Sequence, residues 1–260
     1  MRLNATHCRV RTQNATMRNI RLVIAYRGAA YSGWQIQPST PTVQGEIERR
    51  LEQMTGSPCR LRAAGRTDAG VHAEGQLANF RTESAIAVGA FMRGLNALLP
   101  DDIAILSAEE VEIDFDSRRH NRGKHYRYRI WNQRAPSAGL AAAVWHLHRP
   151  LDLAAMARAS RHLVGTFDFS AFRSASCDCE TTTRTIYRCS VAADGPERRI
   201  DVEGTAFLKN MVRIIAGTLV DVGRGRRDPE SLAELLASGD RTRAGVTAPA
   251  RGLTLVRVFL

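Results

Sequence analysis

Long apolar segments are missing from this sequence of 260 residues. A membrane-spanning helix needs about 20 consecutive apolar residues, and no run in the chain approaches that length. The N-terminus is polar and basic and lacks the apolar core of a secretory signal peptide. We therefore expect a cytoplasmic protein without membrane spans.

Cysteine is also sparse, with five residues scattered along the chain. Only Cys177 and Cys179 lie close together, and one intervening residue is too few for a usual zinc-binding pair. The sequence offers no second pair to complete a set of four ligands. The cysteine pattern predicts a reduced protein that contains no metal.

Acidic residues are outnumbered, and lysine is rare. The chain has 26 Asp and Glu against 37 Lys and Arg, which gives a net charge of +11 and a pI of about 10.3. All but two of these cations are arginines, whose side chains suit contacts with phosphates and bases. The excess of positive charge favours an anionic partner, nucleic acid first and an acidic membrane surface second. The alternative, that the charge serves only solubility, stays open.

The hydrophobic pattern of the first half predicts the order β-α-β-β-α-β. Its first helix begins after Thr42, which can cap it, and ends at Gly56. Its second helix stops before Pro100. The strands are expected over residues 20–26, 59–64, 76–82 and 103–111.

The second half repeats this order. Its strands are expected over residues 124–132, 184–192, 199–206 and 253–259. Its helices are expected over residues 151–164 and 208–222, with a further helix starting at Asp228-Pro229. On the strand at 124–132, Tyr126, Tyr128 and Ile130 alternate with His125, Arg127 and Arg129, so the two sets face opposite ways.

Two such halves predict an α/β (α+β) protein of two ferredoxin-like units, with mainly antiparallel sheets and an RNA-binding cleft between them. We expect an N-terminal domain over residues 18–115 and a C-terminal domain over residues 116–260. Residues 1–17 are either a disordered basic arm or the product of an upstream start codon, with Met17 the true start.

The segment Gly65–Ala73 places one carboxylate, Asp68, between Arg66 and His72 in a glycine-containing loop. An aspartate before a glycine is ordinarily a turn-former. Here a nearby arginine favours an ionised carboxylate, which can attack an electrophilic carbon as in retaining glycosidases. Those enzymes need a second acid, and Glu74 is the only local candidate, so the chemistry should use one carboxylate.

A second basic group lies in the helix predicted from residue 208. Helical spacing puts Lys209 and Arg213 on one face, because they are four residues apart. This face is either solvated or, given the apolar residues around it, largely buried. A buried arginine needs a carboxylate partner, and Asp68 is a candidate.

Aromatic residues leave two alternatives open. Tyr126 and Tyr128 are either core residues, or one of them lines a cleft where it stacks on a base or transfers a proton. Trp34, in a loop with two glutamines, either contacts nucleic acid or anchors the core. The basic run at residues 118–124 is a solvated linker or a phosphate track.

Taken together, these segments resemble the tRNA pseudouridine synthase A family, and the match runs from Ile20 to Val258. The motifs that carry it are Tyr31-Ser32-Gly33-Trp34-Gln35-Ile36-Gln37-Pro38, the Asp68 loop, Asn96-Ala97-Leu98-Leu99-Pro100, Lys124-His125-Tyr126-Arg127-Tyr128, Asp168-Phe169-Ser170-Ala171-Phe172, Met211-Val212-Arg213 and Ala248-Pro249-Ala250-Arg251-Gly252-Leu253. Any one of them could occur by chance, but all of them in order are highly specific. Residues 1–17 have no counterpart in the family.

The resemblance implies an isomerase that converts uridine to pseudouridine in the anticodon stem-loop of tRNA, around positions 38 to 40, without cofactor or metal. It implies that Asp68 is the nucleophile, that Arg213 pairs with it, and that Tyr126 packs on the target base and assists proton removal from C5. Arg66 would fill the gap left by the flipped nucleotide. The substrate-binding residues are then Arg66, Thr67, His72, Tyr126 and Lys209. Family members are homodimers whose tRNA spans both subunits.

The residues alone leave the reaction partly open. A single carboxylate is compatible with attack at the ribose C1′ and with attack at C6 of uracil. A non-catalytic RNA-binding protein would share the charge and the tyrosines. An RNA glycosidase or nuclease would use similar groups, but would release free base or cut the chain.

Overall fold

Alternating apolar residues in the first half of the chain fold as the predicted β-α-β-β-α-β unit. The computed structural model describes residues 16–177 and 179–260. The elements are β1 (Arg18–Tyr26), α1 (Val43–Thr55), β2 (Arg62–Ala63), β3 (His72–Thr82), α2 (Val88–Leu98) and β4 (Ile103–Val111). The strands pair antiparallel in the order β4-β1-β3-β2, which completes a ferredoxin-like unit.

The caps of α1 are those that the sequence indicates. The Thr42 hydroxyl accepts a hydrogen bond from the amide of Gly45, and Gly56 ends the helix in the left-handed conformation with φ 74°. The strand expected over residues 59–64 is shorter than predicted, because only Arg62 and Ala63 pair with β3.

The second half contains the predicted unit with additions. The elements are β5 (Gly123–Trp131), β6 (Trp145–His146), α3 (Leu153–Arg161), β7 (Gly165–Asp168), β8 (Thr183–Asp194), β9 (Glu197–Gly204), α4 (Met211–Gly223), α5 (Ser231–Ser238) and β10 (Leu253–Phe259). Strands β10-β5-β9-β8 repeat the order of the first half. The short strands β6 and β7 are additions that the sequence pattern does not predict.

The two halves share one mainly antiparallel sheet, in the order β4-β1-β3-β10-β5-β9-β8-β7. The junction is a parallel pairing in which Thr254 and Leu255 of β10 lie opposite His72 and Ala73 of β3. Strand β10 also pairs antiparallel with β5. The division into domains at residues 115 and 116 stays a prediction, and residues 1–15 of the predicted extension lie outside the described residues.

Helix α4 begins at Met211 rather than at the predicted residue 208. The cause is Asn210, whose φ of 63° is left-handed and cannot continue a helix. Eleven of the thirteen residues of α4 are buried, as its apolar sequence predicts. Helix α5 likewise starts later than predicted, at Ser231, because Asp228 accepts a hydrogen bond from the amide of Glu230 in a preceding turn.

The predicted alternation on β5 is confirmed. Tyr126, Tyr128 and Ile130 are buried on one face of the sheet. Arg127 lies on the opposite face, where its Nε donates a hydrogen bond to Asp201. The helices cover the first of these faces, as the edge-to-face contact between Phe80 and Phe91 in the first half illustrates. In the described part of the chain, no helix has both the length and the apolar character that a bilayer crossing requires.

Two buried asparagines fix the segment that connects the halves. Asn19 and Asn79 both donate to the carbonyl of Phe115, at 2.9 and 3.2 Å. The side-chain oxygen of Asn79 accepts from the amide of Ser117, and its nitrogen donates to Asn19. Asn79 therefore ties β1, β3 and the connecting segment together.

We predict that Asn79→Ala lowers the free energy of unfolding by about 2–4 kcal/mol, because the substitution leaves several buried backbone and side-chain groups without partners. Gln53→Ala changes an exposed residue on α1 and should alter stability by less than about 0.5 kcal/mol. Urea denaturation measures both. A loss below 1 kcal/mol for Asn79→Ala would show that this hydrogen-bonded junction is not needed.

Candidate active site

The acid loop, residues 65–71, leaves β2 and enters β3. Its backbone is held from outside by Trp34, whose amide donates to the carbonyl of Thr67 at 3.0 Å. Within the loop the amide of Val71 donates to the carbonyl of Asp68, and Gly70 has φ 77°. These contacts fix a tight turn with the side chain of Asp68 at its tip.

The loop at residues 31–38 supports the acid loop. Gly33, with φ 99°, approaches so closely that a Cβ there would lie 2.7 Å from the carbonyl oxygen of Thr67. The side chain of Trp34 is buried and its ring centroid lies 5.9 Å from that of Tyr26. Of the two alternatives for Trp34, the structure therefore supports the core anchor.

The structure brings Asp68 and Arg213 together. The nearest atoms, Oδ2 and Nη1, are 3.8 Å apart, and 36% of the aspartate side chain is exposed against 17% for the arginine. Arg213 is held by two hydrogen bonds, from Nε to the carbonyl of Ala248 and from Nη1 to Oδ1 of Asn210. Because 3.8 Å is too long for a hydrogen bond, the carboxylate faces a fixed positive charge and retains free lone pairs.

Tyr126 lies beside this pair. Its ring is buried and meets Phe207 edge to face, with centroids 5.1 Å apart. Burial raises the pKa of the phenol, and Tyr26 and the negative charge of Asp68 raise this pKa further. Tyr126 therefore presents a neutral phenol and an apolar ring at physiological pH.

Two of the predicted substrate-binding residues, Thr67 and His72, form hydrogen bonds with other parts of the protein. The hydroxyls of Thr67 and Tyr26 are hydrogen-bonded at 2.8 Å. The ring of His72 is buried, with Nδ1 accepting from the amide of Gly28 and Nε2 at 3.1 Å from the carbonyl of Ala142. This geometry favours a role for both in positioning the acid loop.

The remaining two differ from each other. Arg66 is exposed, and within the described residues it forms no ion pair. Lys209 is not on the helical face shared with Arg213, because it precedes α4. Its Nζ instead lies 3.5 Å from the carbonyl of Ser176. The expectation that Lys209 and Arg213 lie one helical turn apart is therefore wrong.

Two residues that hold the site are not among the sequence predictions. Asn210 orients Arg213, and Phe207 packs on Tyr126. An asparagine directly before a buried apolar run is typical of a helix N-terminus. That signal marks Asn210 in the sequence, whereas nothing local marks Phe207.

The assembled groups can perform nucleophilic chemistry. They comprise a half-exposed carboxylate, a guanidinium that faces it and a neutral phenol on a buried strand. Across residues 16–177 and 179–260, no group of three or more His, Cys, Asp and Glu side chains is arranged to hold a metal ion.

A family model described as tRNA pseudouridine synthase matches residues 22–118 and 159–259. The chain belongs to the tRNA pseudouridine synthase family. The matched ranges include the acid loop and α4. Tyr126 lies between them, so its place in the site comes from the structure.

Proteins named tRNA pseudouridine synthase A are similar over nearly the whole chain. The protein of Geotalea uraniireducens (strain Rf4) is 51% identical over 94% of this chain and 100% of its own length. That of Geotalea daltonii is 50% identical over 94% and 100%, and that of Myxococcus xanthus is 48% identical over 94% and 92%. A crystal structure of a Cbf5-Nop10-Gar1 complex aligns with 90% of this chain and 57% of that one, at 12% identity and a TM-score of 0.33.

The buried ring of His72 gives a pH-dependent prediction. Burial lowers the pKa of His72, and the charges of Arg129 and Arg27 lower it further. Unfolding therefore takes up a proton below the ordinary value of about 6.5. The stability that His72 contributes is complete above that pH and is lost as the pH falls towards the lowered pKa.

We expect the difference in free energy of unfolding between the wild type and His72→Gln to shrink as the pH falls from 7.5 to 5.5 in urea denaturation. The exposed residue Gln53 gives the control Gln53→Ala, which removes no titratable group, so its difference should stay level. A constant difference for His72→Gln would contradict the lowered pKa.

Proposed function

We propose that this member of the tRNA pseudouridine synthase family isomerises uridine to pseudouridine in the anticodon stem-loop of tRNA, around positions 38 to 40, with Asp68 as nucleophile. The observation that carries the proposal is the half-exposed carboxylate of Asp68, 3.8 Å from the fixed guanidinium of Arg213 and next to Tyr126. The length and specificity of the family match support the substrate class.

The target uridine must leave its stack before a carboxylate on a loop can reach it. Base flipping costs a few kcal/mol and costs least in loops and at helix ends. Contacts between arginines and phosphates offset that cost, and the chain carries a net charge of +11. The exposed side chain of Arg66, two residues before Asp68, is suited to fill the gap left by the flipped nucleotide.

Asp68 then breaks the glycosidic bond. One carboxylate oxygen forms a bond to the substrate, at C1′ of the ribose or C6 of the uracil, and the N1–C1′ bond is cleaved. The uracil turns and C5 forms a bond to C1′. The bond between the substrate and the Asp68 oxygen breaks, which restores the carboxylate. The proton on C5 leaves and N1 takes up a proton. Atoms and electrons balance without water or a redox partner, since the product is an isomer of the substrate.

Tyr126 has a packing role in this scheme. Since burial and the charge of Asp68 raise its pKa, the phenolate is scarce at neutral pH and the ring is the larger contribution. An aromatic side chain that contacts a base contributes about 1–3 kcal/mol. A neutral hydroxyl at the same place can donate a hydrogen bond to the uracil as it turns.

The remaining contacts follow from position. Lys209, exposed before α4, is assigned to the RNA backbone, and Thr67 and His72 to positioning the acid loop. Cytoplasmic location and a homodimer whose subunits share one tRNA complete the proposal. The homodimer rests on the family resemblance, and the cytoplasmic location rests on the sparse, scattered cysteines of the sequence.

We predict that Asp68→Asn reduces isomerisation more than about a thousand-fold, because the amide is a poor nucleophile. Binding of tRNA should remain within a few-fold of the wild type. Tritium release from tRNA labelled at C5 of uridine measures turnover, and filter binding measures affinity. Asp194→Asn, at the exposed tip of the β8–β9 hairpin, is the matched control and should retain full activity.

Mass spectrometry of the treated tRNA separates the alternatives. Isomerisation leaves the mass unchanged and yields a uridine that reacts with carbodiimide. Base release lowers the mass, and binding alone changes nothing. Full turnover by Asp68→Asn, or loss of base from tRNA with the wild type, would overturn the proposal.

The support of the acid loop by Gly33 can be tested separately. We predict that Gly33→Ala lowers activity more than tenfold, because the new Cβ would lie 2.7 Å from the carbonyl oxygen of Thr67 and displace Asp68. Gly56→Ala is a matched control, since Gly56 also has a positive φ but has no atom within 4 Å of the added Cβ. Equal activity of the two variants in the tritium assay would argue against displacement of the loop.

A further inference from the structure

Lys124 is one of only two lysines in a chain that uses arginine at its other cationic positions. It is buried, with 8% of its surface exposed. Most lysines lie at the surface, and a buried ammonium is costly unless it is paired. None of the roles proposed above uses Lys124, so its placement calls for a separate explanation.

Strand geometry directs Lys124 to the active site. Residues two apart on a strand point to the same face, so Lys124 points to the same side as Tyr126. Its side chain passes directly over Gly65, at the start of the acid loop. A Cβ on Gly65 would lie 2.9 Å from Cε and 3.8 Å from Nζ of Lys124.

The ammonium of Lys124 is incompletely paired. Nζ donates one hydrogen bond, to Oδ1 of Asn121 at 3.1 Å, and an ammonium has three donors. No carboxylate in the described part of the chain forms an ion pair with it. Burial, and after it the charge of Arg118, lowers the pKa of Lys124 to about 8. A buried cation beside another cation, with two donors left over, is arranged to receive an anion.

Positive charge continues away from this point. Arg118 is followed by Arg119, which with Arg62 and His120 lines a cavity of about 370 Å³ beside β2 and β3. Asp114 and Asp116 also line this cavity, and Asp116 pairs with Arg62. Arg118 and Arg119 form no ion pair within the described residues, so a polyanionic strand that passes Lys124 meets two further free cations. This row of cations suits an extended polyanion better than an isolated small anion.

We propose that Lys124, with Arg118 beside it, forms a phosphate subsite that binds a phosphodiester flanking the flipped uridine. The subsite rests on the proposed function, because it takes RNA as the substrate. Its position over Gly65 would hold the RNA backbone next to the acid loop while the base enters towards Asp68 and Tyr126.

The first test compares salt dependence. Lys124→Met keeps an unbranched side chain that is one atom shorter and removes its charge. Its affinity for an anticodon stem-loop RNA should fall about tenfold at 0.1 M salt. The slope of log K against log salt should decrease in magnitude by about 0.7, as expected for one lost phosphate contact to a single strand. Lys124→Arg should retain most of the slope.

Arg198→Met provides the matched control. Arg198 lies opposite Ile130 in the β5–β9 register, six positions along the strand from Lys124 and so about 20 Å away. It should leave the slope unchanged. A lower melting temperature for Lys124→Met with an unchanged slope would assign Lys124 to structure alone and overturn the proposal.

A modified RNA tests the proposed contact between Lys124 and a phosphodiester by removing the charge of the phosphate. Methylphosphonate linkages, which carry no charge, are introduced at the phosphodiesters on either side of the target uridine. One of them should weaken binding to the wild type about tenfold and leave binding to Lys124→Met unaffected. Equal losses for both proteins would overturn the proposal, and so would a wild type indifferent to both linkages, a result that does not depend on how the variant folds.

The same RNAs separate this inference from the proposed function. If the wild type isomerises the unmodified stem-loop and the salt slopes of wild type and Lys124→Met are the same, only the phosphate subsite fails. If the wild type does not isomerise tRNA in the tritium assay, the proposed function fails first.

Discussion

The pairing of β10 between β3 and β5 is the constraint on which the site depends. Leu255 lies opposite Ala73 on one side and Tyr126 on the other, so a single row across the sheet links the end of the acid loop to the tyrosine. The segment just before β10 completes the connection, because the carbonyl of Ala248 holds Arg213 and a Cβ on Gly70 would touch Ala250. Three parts of the chain, the acid loop, Tyr126 and Arg213, are thus fixed by one C-terminal stretch. A shift of β10 by one residue would turn its side chains to the other face and separate Asp68 from both partners.

The ion pair between Asp68 and Arg213 is a poor candidate for what holds the site together. A partly exposed pair at 3.8 Å contributes about 1 kcal/mol or less to stability. The hydrogen bonds of Arg213 to Ala248 and Asn210, together with the burial of α4, fix the guanidinium without any help from the carboxylate. The positive charge is therefore in place before any substrate arrives, and the proposed nucleophilic attack by Asp68 would not require Arg213 to move. Preorganised charge of this kind is the usual source of large rate effects in enzymes.

Local signals in the sequence predict most of the elements and part of the site. The Thr42 and Gly56 caps can be predicted because they depend on neighbouring residues alone, and the alternation on β5 can be predicted from its period of two. The structure confirms both. The facing of Asp68 and Arg213 could be inferred because a buried arginine requires a nearby acid. The strand order could not, since the β3–β10 junction depends on which edges remain free after each half has folded. The prediction that Lys209 lies on the same helix as Arg213 is wrong because Asn210 adopts a left-handed conformation. The spacing of apolar residues does not reveal that conformation.

For the binding of RNA at the proposed site, the positions of the unpaired charges matter more than the net charge. On the sheet face away from the site, arginines are matched by acids: Arg127 binds Asp201, and Arg129 binds Glu197. That face is close to neutral at short range, and salt screens its remaining field within about 10 Å. Around the acid loop, by contrast, Arg66 and Lys124 have no carboxylate partner among the described residues. These two cations lie where, under the proposed function, a flipped nucleotide would be held. A uniformly basic surface would bind RNA in many registers. Under the proposed function, cations left unpaired near Asp68 would favour the register that brings the target uridine to this carboxylate.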